Sequence, residues 1–338
     1  MSLGLAADKA PAPPALPPGS NRVYEAELGE FTRENYDRAV EHLLTAFQRA
    51  TGRSFAPGSH GKAALKVYSD AGPGLSTPRD LVRAVIKALE SRGFTRGNLL
   101  IVGLNASRLR SAGFIPPLSV GGDDFEGVPV IALDSGKYYD PAWFYDSPLP
   151  ATRVDAPNRD ASDTDVGSAV TEAERRSLLP VPLMFDVDFW INLPGCSDHP
   201  ILGVNGAMVN ATLWNASNTQ RFFRSPANGP AAAAEIAAIP ELRATWACTI
   251  ISLQRYQFIG GPIFNSLYTL SEPRVWLSDN PVMLDALMRK KINDGRDAAG
   301  FRELDDDLRL LAYGEQVGLG SGDRTLVEWV PVRLDRAP

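Results

Sequence analysis

Residues 63–103 read AALKVYSDAGPGLSTPRDLVRAVIKALESRGFTRGNLLIVG, and this stretch decides the fold. Ala63 to Ser69 has strand character, and the Gly/Pro turn DAGPGLS follows it. Leu81, Val82, Val85, Ile86 and Leu89 then recur at helical spacing, with Ser76 or Thr77 as the expected cap, Pro78 at the first helical position and Gly93 as the stop. Asn98 to Val102 (NLLIV) is a short, continuously apolar run of the kind buried on both faces of a sheet. Strand, helix and strand in so short a span make a βαβ unit, which predicts an α/β fold with a mostly parallel or mixed sheet and helices on both faces.

The neighbouring sequence extends that pattern in both directions. Upstream, Arg22 to Leu28 alternates as a half-buried strand. Thr32 is placed to cap a helix whose apolar stripe is Tyr36, Ala39, Val40, Leu43, Leu44 and Phe47, with Gly52 as its end. Downstream, strand character returns at Val128 to Leu133, Leu183 to Leu193, Cys248 to Leu253, Arg274 to Leu277 and Thr325 to Val332. Helical spacing marks Ala231 to Ala238, Pro281 to Ile292 and Leu304 to Leu311. Between them, Lys137 to Pro182 combines an aromatic cluster (Tyr138, Tyr139, Trp143, Phe144, Tyr145) with an Asp/Ser/Pro-rich stretch. It reads as a long loop-rich insertion over the sheet, either a cover or a packed structural element. The organisation expected is an Ala/Pro-rich flexible segment at 1–21 and one α/β domain at 22–338, with two closely packed lobes, 22–135 and 183–338, as the other option.

Composition narrows the function classes. Thirty-four Lys+Arg against 40 Asp+Glu give a net charge of -6 with no long basic run, which disfavours a nucleic-acid partner. No stretch approaches the roughly 20 apolar residues of a membrane span. A tether such as APAPPALPPGS follows export signals and also forms loose tails on cytoplasmic proteins, so the cytoplasm and the periplasm both stay open. Cys196 and Cys248 are the only cysteines, too few for an iron–sulfur cluster, and buried thiols are the plain reading of both.

In an open parallel sheet, ligands bind beyond the carboxyl ends of the strands. That rule selects Asp70, Asn105, the Ser197-Asp198-His199 run, and Asp279 with Asn280. His199, Asp198 and Asp279 are the catalytic candidates, because an imidazole and carboxylates can act as base or acid near neutral pH. His199, Asp279 and Asp285 are the candidate ligands for a divalent metal, the one cofactor considered. Lys66, a charge in mid-strand that needs a partner, joins Asn105, Asn205 and Asn210 as candidate contacts to a small-molecule substrate. Simpler roles compete: a hydrogen-bonded turn histidine for His199, a helix cap before Pro281 for Asp279 and an exposed turn residue for His60. Neither a Gly-x-Ser-x-Gly elbow nor a His-Glu-x-x-His pair occurs.

Four of these segments resemble the bacterial and archaeal family catalogued as domain of unknown function 362: AALKVY; STPRDLVRAVIKALESRGF with LLIVG and RSAGF; DFWINLPGCSDHPILGVNGAMVN; and LSDNPVMLDAL. Asp188, Asn192, Pro194, His199, Gly203, Gly206, Asn210, Asp279, Pro281 and Asp285 match the family pattern. The chain departs from it where lysines are usual, with Ser197 two residues before the histidine and Val209 before the asparagine, and Tyr68 stands near the place of a usual asparagine. The resemblance implies an uncharacterised α/β protein, some relatives being exported or joined to iron–sulfur modules. The lost lysines imply that an anionic substrate shared with the family is not retained. An enzyme, metal-assisted or not, and a non-catalytic small-ligand-binding protein both remain open.

Overall fold

A computed structural model of the chain describes residues 19–118, 122–147, 149, 175–305 and 309–334. Most of the Ala/Pro-rich start, the loop carrying Asp155, Asp160, Asp163 and Asp165, and residues 306–308 of the expected helix Leu304 to Leu311 lie outside the described residues. The strands, in chain order, are β1 (Arg22–Glu27), β2 (Ala63–Val67), β3 (Leu99–Gly103), β4 (Asp124–Phe125), β5 (Val128–Ala132), β6 (Tyr139–Asp146), β7 (Arg176–Pro180), β8 (Phe189–Leu193), β9 (Cys196–His199), β10 (Gly203–Asn205), β11 (Trp246–Ser252), β12 (Tyr256–Gln257), β13 (Thr269–Leu270), β14 (Arg274–Ser278) and β15 (Glu328–Val332).

Nine of them form one mixed sheet in the order β15-β1-β14-β11-β8-β2-β3-β5-β4. Its centre, β11-β8-β2-β3-β5, is parallel throughout. β14 and β1 add antiparallel pairings on one side, and the short β4 does so on the other. Strands from before and after the insertion alternate in this one sheet, since β1 lies between β15 and β14 and β2 lies between β8 and β3. The chain runs outward from β2 through β3 to β5, then returns to β8 on the opposite side of β2. The gap between β2 and β8 is therefore the topological switch point.

Helices cover both faces. Arg33–Thr51 and Arg79–Glu90 bury their apolar stripes against one face. Thr32 accepts from the Asn35 amide and Gly52, at φ 70°, closes the first helix, as its sequence predicts. The other face is covered by Val181–Phe185, Ala207–Ala211, Asn228–Ala237, Pro240–Thr245 and Arg309–Gln316, with Pro281–Ala298 packed beside them. Among the described residues no helix is long and apolar enough to cross a membrane.

Several local expectations are corrected. Leu183 to Leu193 is not one strand: Pro182 fits the first turn of a short helix, and β8 begins only at Phe189. Leu304 and Asp305 are not helical, and the helix described in this region is Arg309–Gln316. The segment around His199 is no open loop, because β9 and β10 are buried, pair antiparallel and join β12 and β13 in a four-stranded sheet.

Neither Ser76 nor Thr77 caps the helix Arg79–Glu90, whose N-cap is Pro78. The buried Thr77 hydroxyl instead accepts from the Tyr68 amide at 2.8 Å and donates to the Leu193 carbonyl at 2.5 Å, joining the ends of β2 and β8. Thr77→Val leaves a buried N–H and a buried carbonyl without this partner, so urea unfolding should show a loss of about 1–3 kcal/mol. A loss no larger than that of a surface Thr→Val control would show that the clasp contributes little.

Candidate functional site

His199 closes its own turn. The ring is 2% exposed, and its Nδ1 accepts from the amides of Ile201 (3.1 Å) and Leu202 (3.2 Å), which requires the neutral ring with its proton on Nε2. Burial pulls its pKa down to about 4. The neighbouring Asp198 serves the next loop: its carboxylate accepts from Gly261 N at 2.7 Å and Gly260 N at 3.2 Å and pairs with Arg296 at 3.4 Å. A Cβ at Gly261 would lie 2.1 Å from the Asp198 carbonyl, so this contact requires glycine.

Asp285 and Asp279 are likewise engaged with backbone. Asp285 is wholly buried, and its two oxygens accept from Ala207 N (2.6 Å) and Met208 N (2.9 Å), capping the five-residue helix Ala207–Ala211 from a distant segment. Burial pushes its pKa up to about 7 against the pull of those two amides. Asp279 is not the helix cap; Asn280 accepts from Met283 N in that role, while Asp279 holds the amide and hydroxyl of Ser20. Asp188 organises the turn containing His60 by accepting from the amides of Gly58, His60 and Lys62.

The polar centre of the sheet lies at the switch point. Lys66 is 0% exposed and pairs in register with Asn192 of β8. Its Nζ donates to the Val67 carbonyl at 2.8 Å and to Asn210 Oδ1 at 3.4 Å. Asn210 donates to Asn192 Oδ1 at 2.8 Å, and Asn192 donates to the Ala207 carbonyl and the Thr249 hydroxyl. Three of the four expected substrate contacts, Lys66, Asn205 and Asn210, thus fall in one buried region, where Asn205 accepts from the Trp214 indole at 2.7 Å.

Asp70 stands beyond the end of β2. Burial pulls the Lys66 ammonium down and pushes the Asp70 carboxyl up, so the two converge on neutrality from opposite sides while their attraction opposes both shifts. Arg108 also lowers Asp70, and Asp134 raises it. Four polar atoms along these strand ends are buried without a hydrogen bond: Tyr68 Oη, Ser69 Oγ, Asp70 Oδ2 and Ser197 Oγ.

Open space adjoins the next two strands, β3 and β5. A crevice of about 660 Å³ lies at the carboxyl ends of β3 and β5, with Leu104, Asn105, Leu133 and Asp134 contributed by the residues that follow those strands. Tyr139, Pro141, Arg176 and Leu178 of the β6–β7 hairpin form one wall, and residues 216–220 form another. Asn105, the fourth expected contact, lines it while capping the helix Ala106–Ser111. The sequence reading missed Asp134, Leu178 and the segment 216–220. Its one pointer to this wall was the aromatic cluster containing Tyr139.

No protein-family model matches the chain, and no curated protein matches it. Among solved structures, a protein from Thermotoga maritima is similar at 13% identity with a TM-score of 0.36, over 65% of this chain and 50% of that one. The chain thus spans half the length of that protein.

The expected catalytic and metal sets do not assemble. Among the described residues no group of three or more His, Cys, Asp or Glu side chains is placed to hold a metal ion. The Nδ1 of His199 and both oxygens of Asp285 are already held by amides, so these residues do not fit that role. Cys196 and Cys248 are free and buried.

A neutral buried imidazole has a thermodynamic signature. With an unfolded pKa near 6.5 and a folded one near 4, the unfolded chain takes up a proton first as pH falls. The stability that His199 confers is complete above pH 6.5 and lost as pH falls towards 4, a change of about 3 kcal/mol. His199→Asn keeps an acceptor at the Nδ1 position and removes the titration. The difference in urea stability between the two proteins should therefore narrow across that window in acid; parallel pH profiles would refute the assignment.

Proposed function

We propose that this chain binds a small molecule in the crevice beside the β6–β7 hairpin and acts on it there, as a divergent member of the family of unknown function 362. The observation that carries the proposal is the crevice itself: a concavity of about 660 Å³ at the carboxyl ends of β3 and β5, within the usual range of roughly 300–1,000 Å³ for small-ligand sites. Its lining suits a modest, partly polar molecule, with Leu104, Leu133, Tyr139 and Leu178 offering apolar contact and Asn105, Asp134 and Asn218 supplying polar groups. Asp70 supports the enzyme reading over simple binding, since it is a carboxyl raised towards neutrality on the same rim, near enough to Asp134 to be raised by it. The engaged side chains of His199, Asp198 and Asp285 move the proposed chemistry away from the segment that carries the family pattern most densely.

The test is a thermal-shift screen of the purified chain against a library of small polar metabolites, repeated with Leu178→Trp, which places a larger ring in the crevice. At least one compound should raise the wild-type melting temperature by a few degrees at about 100 times its Kd, where binding adds about 2.7 kcal/mol. The same compound should leave Leu178→Trp unmoved. A library without such a compound, or binding indifferent to Leu178→Trp, would refute this reading.

A further inference from the structure

We infer that a second cavity, between the turn after β2 and the turn after β11, is a binding site that takes a phosphate group on Arg79 and Arg255. It shares no lining residue with the crevice beside β6 and β7 and does not rest on the reading of that crevice.

The cavity measures about 250 Å³, room for a phosphate group with a small organic remainder. Its walls are the Gly/Pro turn that follows β2, the first residue of the helix Arg79–Glu90, Ser111 to Gly113, and Gln254 with Arg255 beyond β11. Both turns stand at the carboxyl ends of strands in the parallel centre of the sheet, where α/β folds receive ligands. The charged lining is two arginines and no carboxylate. Asp80, next in sequence to Arg79, lies outside the lining and is paired with Arg83 at 2.8 Å.

Both guanidiniums are held in place with donors to spare. Arg79 makes no hydrogen bond or ion pair among the described residues. It packs over Gly113, which has φ 82° and where a Cβ would come to 3.0 Å from Arg79 Nη1. Arg255 uses Nη1 on the Gly74 carbonyl at 2.9 Å and lies over the Phe264 ring, 5.6 Å from its centroid, which leaves Nε and Nη2 for a ligand. Gly74 permits this arrangement, because a Cβ there would overlap the Phe264 ring. A further donor is oriented from the core. The buried Tyr36 hydroxyl donates to Gln254 Oε1 at 3.0 Å, which leaves Nε2 as the free end of that amide.

The donor set selects the anion. One guanidinium fork satisfies the two oxygens of a carboxylate, whereas two separate guanidiniums and an amide match the several oxygens and the double charge of a phosphate. The GPG turn thus serves a site without the lysine of a P-loop: its backbone carbonyl places an arginine that reaches in from β11.

Phenylglyoxal modifies exposed, unpaired guanidiniums, and peptide mass mapping reports each arginine separately in one sample of the full chain. Inorganic phosphate at constant ionic strength should slow modification of Arg79 and Arg255 along one saturable curve, while Arg33, exposed at the start of the helix Arg33–Thr51, keeps its rate. Phenyl phosphate is the second probe. Half-protection at a lower concentration than inorganic phosphate supports a phosphate monoester as occupant, and half-protection at the same or a higher concentration supports free phosphate. Arg79→Gln and Arg255→Gln should each raise the half-protecting phosphate concentration at the remaining arginine on the order of tenfold, the size of one lost charge-assisted contact. Arg33→Gln should leave it unchanged, as should Leu178→Trp, since Leu178 lines only the crevice. Acetate that protects as well as phosphate overturns the phosphate assignment. Parallel protection of Arg33, protection of the two arginines at unrelated concentrations, or no protection overturns the site, and the wild-type curves decide this without any variant.

Discussion

An ammonium group enclosed in a parallel sheet, with no carboxylate in contact, sets the terms for everything around it. Removing Lys66 from water costs several kcal/mol unless its protons find acceptors, and the two it has are a main-chain carbonyl and an amide oxygen. The second of these must be brought to the lysine from 144 residues away and held with its oxygen, not its nitrogen, towards Nζ. Asn192 fixes that orientation: its own oxygen accepts the Asn210 amide protons, which leaves Asn210 Oδ1 for the lysine. Thr249 and the Ala207 carbonyl orient Asn192 in turn. Three adjacent strands, β2, β8 and β11, are thus joined through side chains as well as through their ladders.

The same requirement explains the short helix Ala207–Ala211. Five residues cannot sustain a helix in isolation, since nucleation fixes several dihedrals for each first hydrogen bond. This one exists because the Asp285 carboxylate takes two of its free amides, and Gly206 allows the approach: a Cβ there would lie 2.2 Å from Asp285 Oδ1. Asn210 is carried on that helix. Gly206 and Asn210, in one short segment, and the distant Asp285 therefore serve one purpose, to deliver an oxygen to Lys66. Most residues on which the family resemblance rests have scaffold roles of this kind, including Asp188 and His199. A shared pattern built on them speaks to how the sheet is held together before it speaks to any reaction.

That distinction also explains what could be read from the sequence. The βαβ core from 63 to 103 was legible because each of its signals is local: apolar spacing, a Gly/Pro turn and a helix stop. The buried strands around His199 were not, because CSDHPILGVNG carries the composition of a polar turn, and its burial is imposed by β12 and the helix Pro281–Ala298. Nothing local shows that the amides of Ile201 and Leu202 turn back to the imidazole. Thr77 as a helix cap, and the competing cap reading of Asp279, fail for the same reason, each residue having a helix end nearby and a distant partner that takes precedence. Lys66 stood out because a charge in mid-strand is costly enough to demand partners, but that Asn210 is the partner is visible only in the fold. The crevice wall was missed because Leu104, Tyr139, Leu178 and Ser217 become neighbours only through the tertiary fold.

The strand-end rule names a rim, not a gap in it. At the switch point between β2 and β8 the gap is filled by the protein itself: Asn210 and its helix occupy it, Thr77 clasps its two sides, and Gly195 lies so close to Tyr68 that a Cβ would be 2.6 Å from the ring and 2.4 Å from the Leu75 carbonyl. The crevice of about 660 Å³ lies along the rim at β3 and β5, where the β6–β7 pair leaves space. Asp70 stands just beyond β2, where burial raises its carboxyl and the Lys66 ammonium opposes the rise. Full exposure would return it to an ordinary carboxylate.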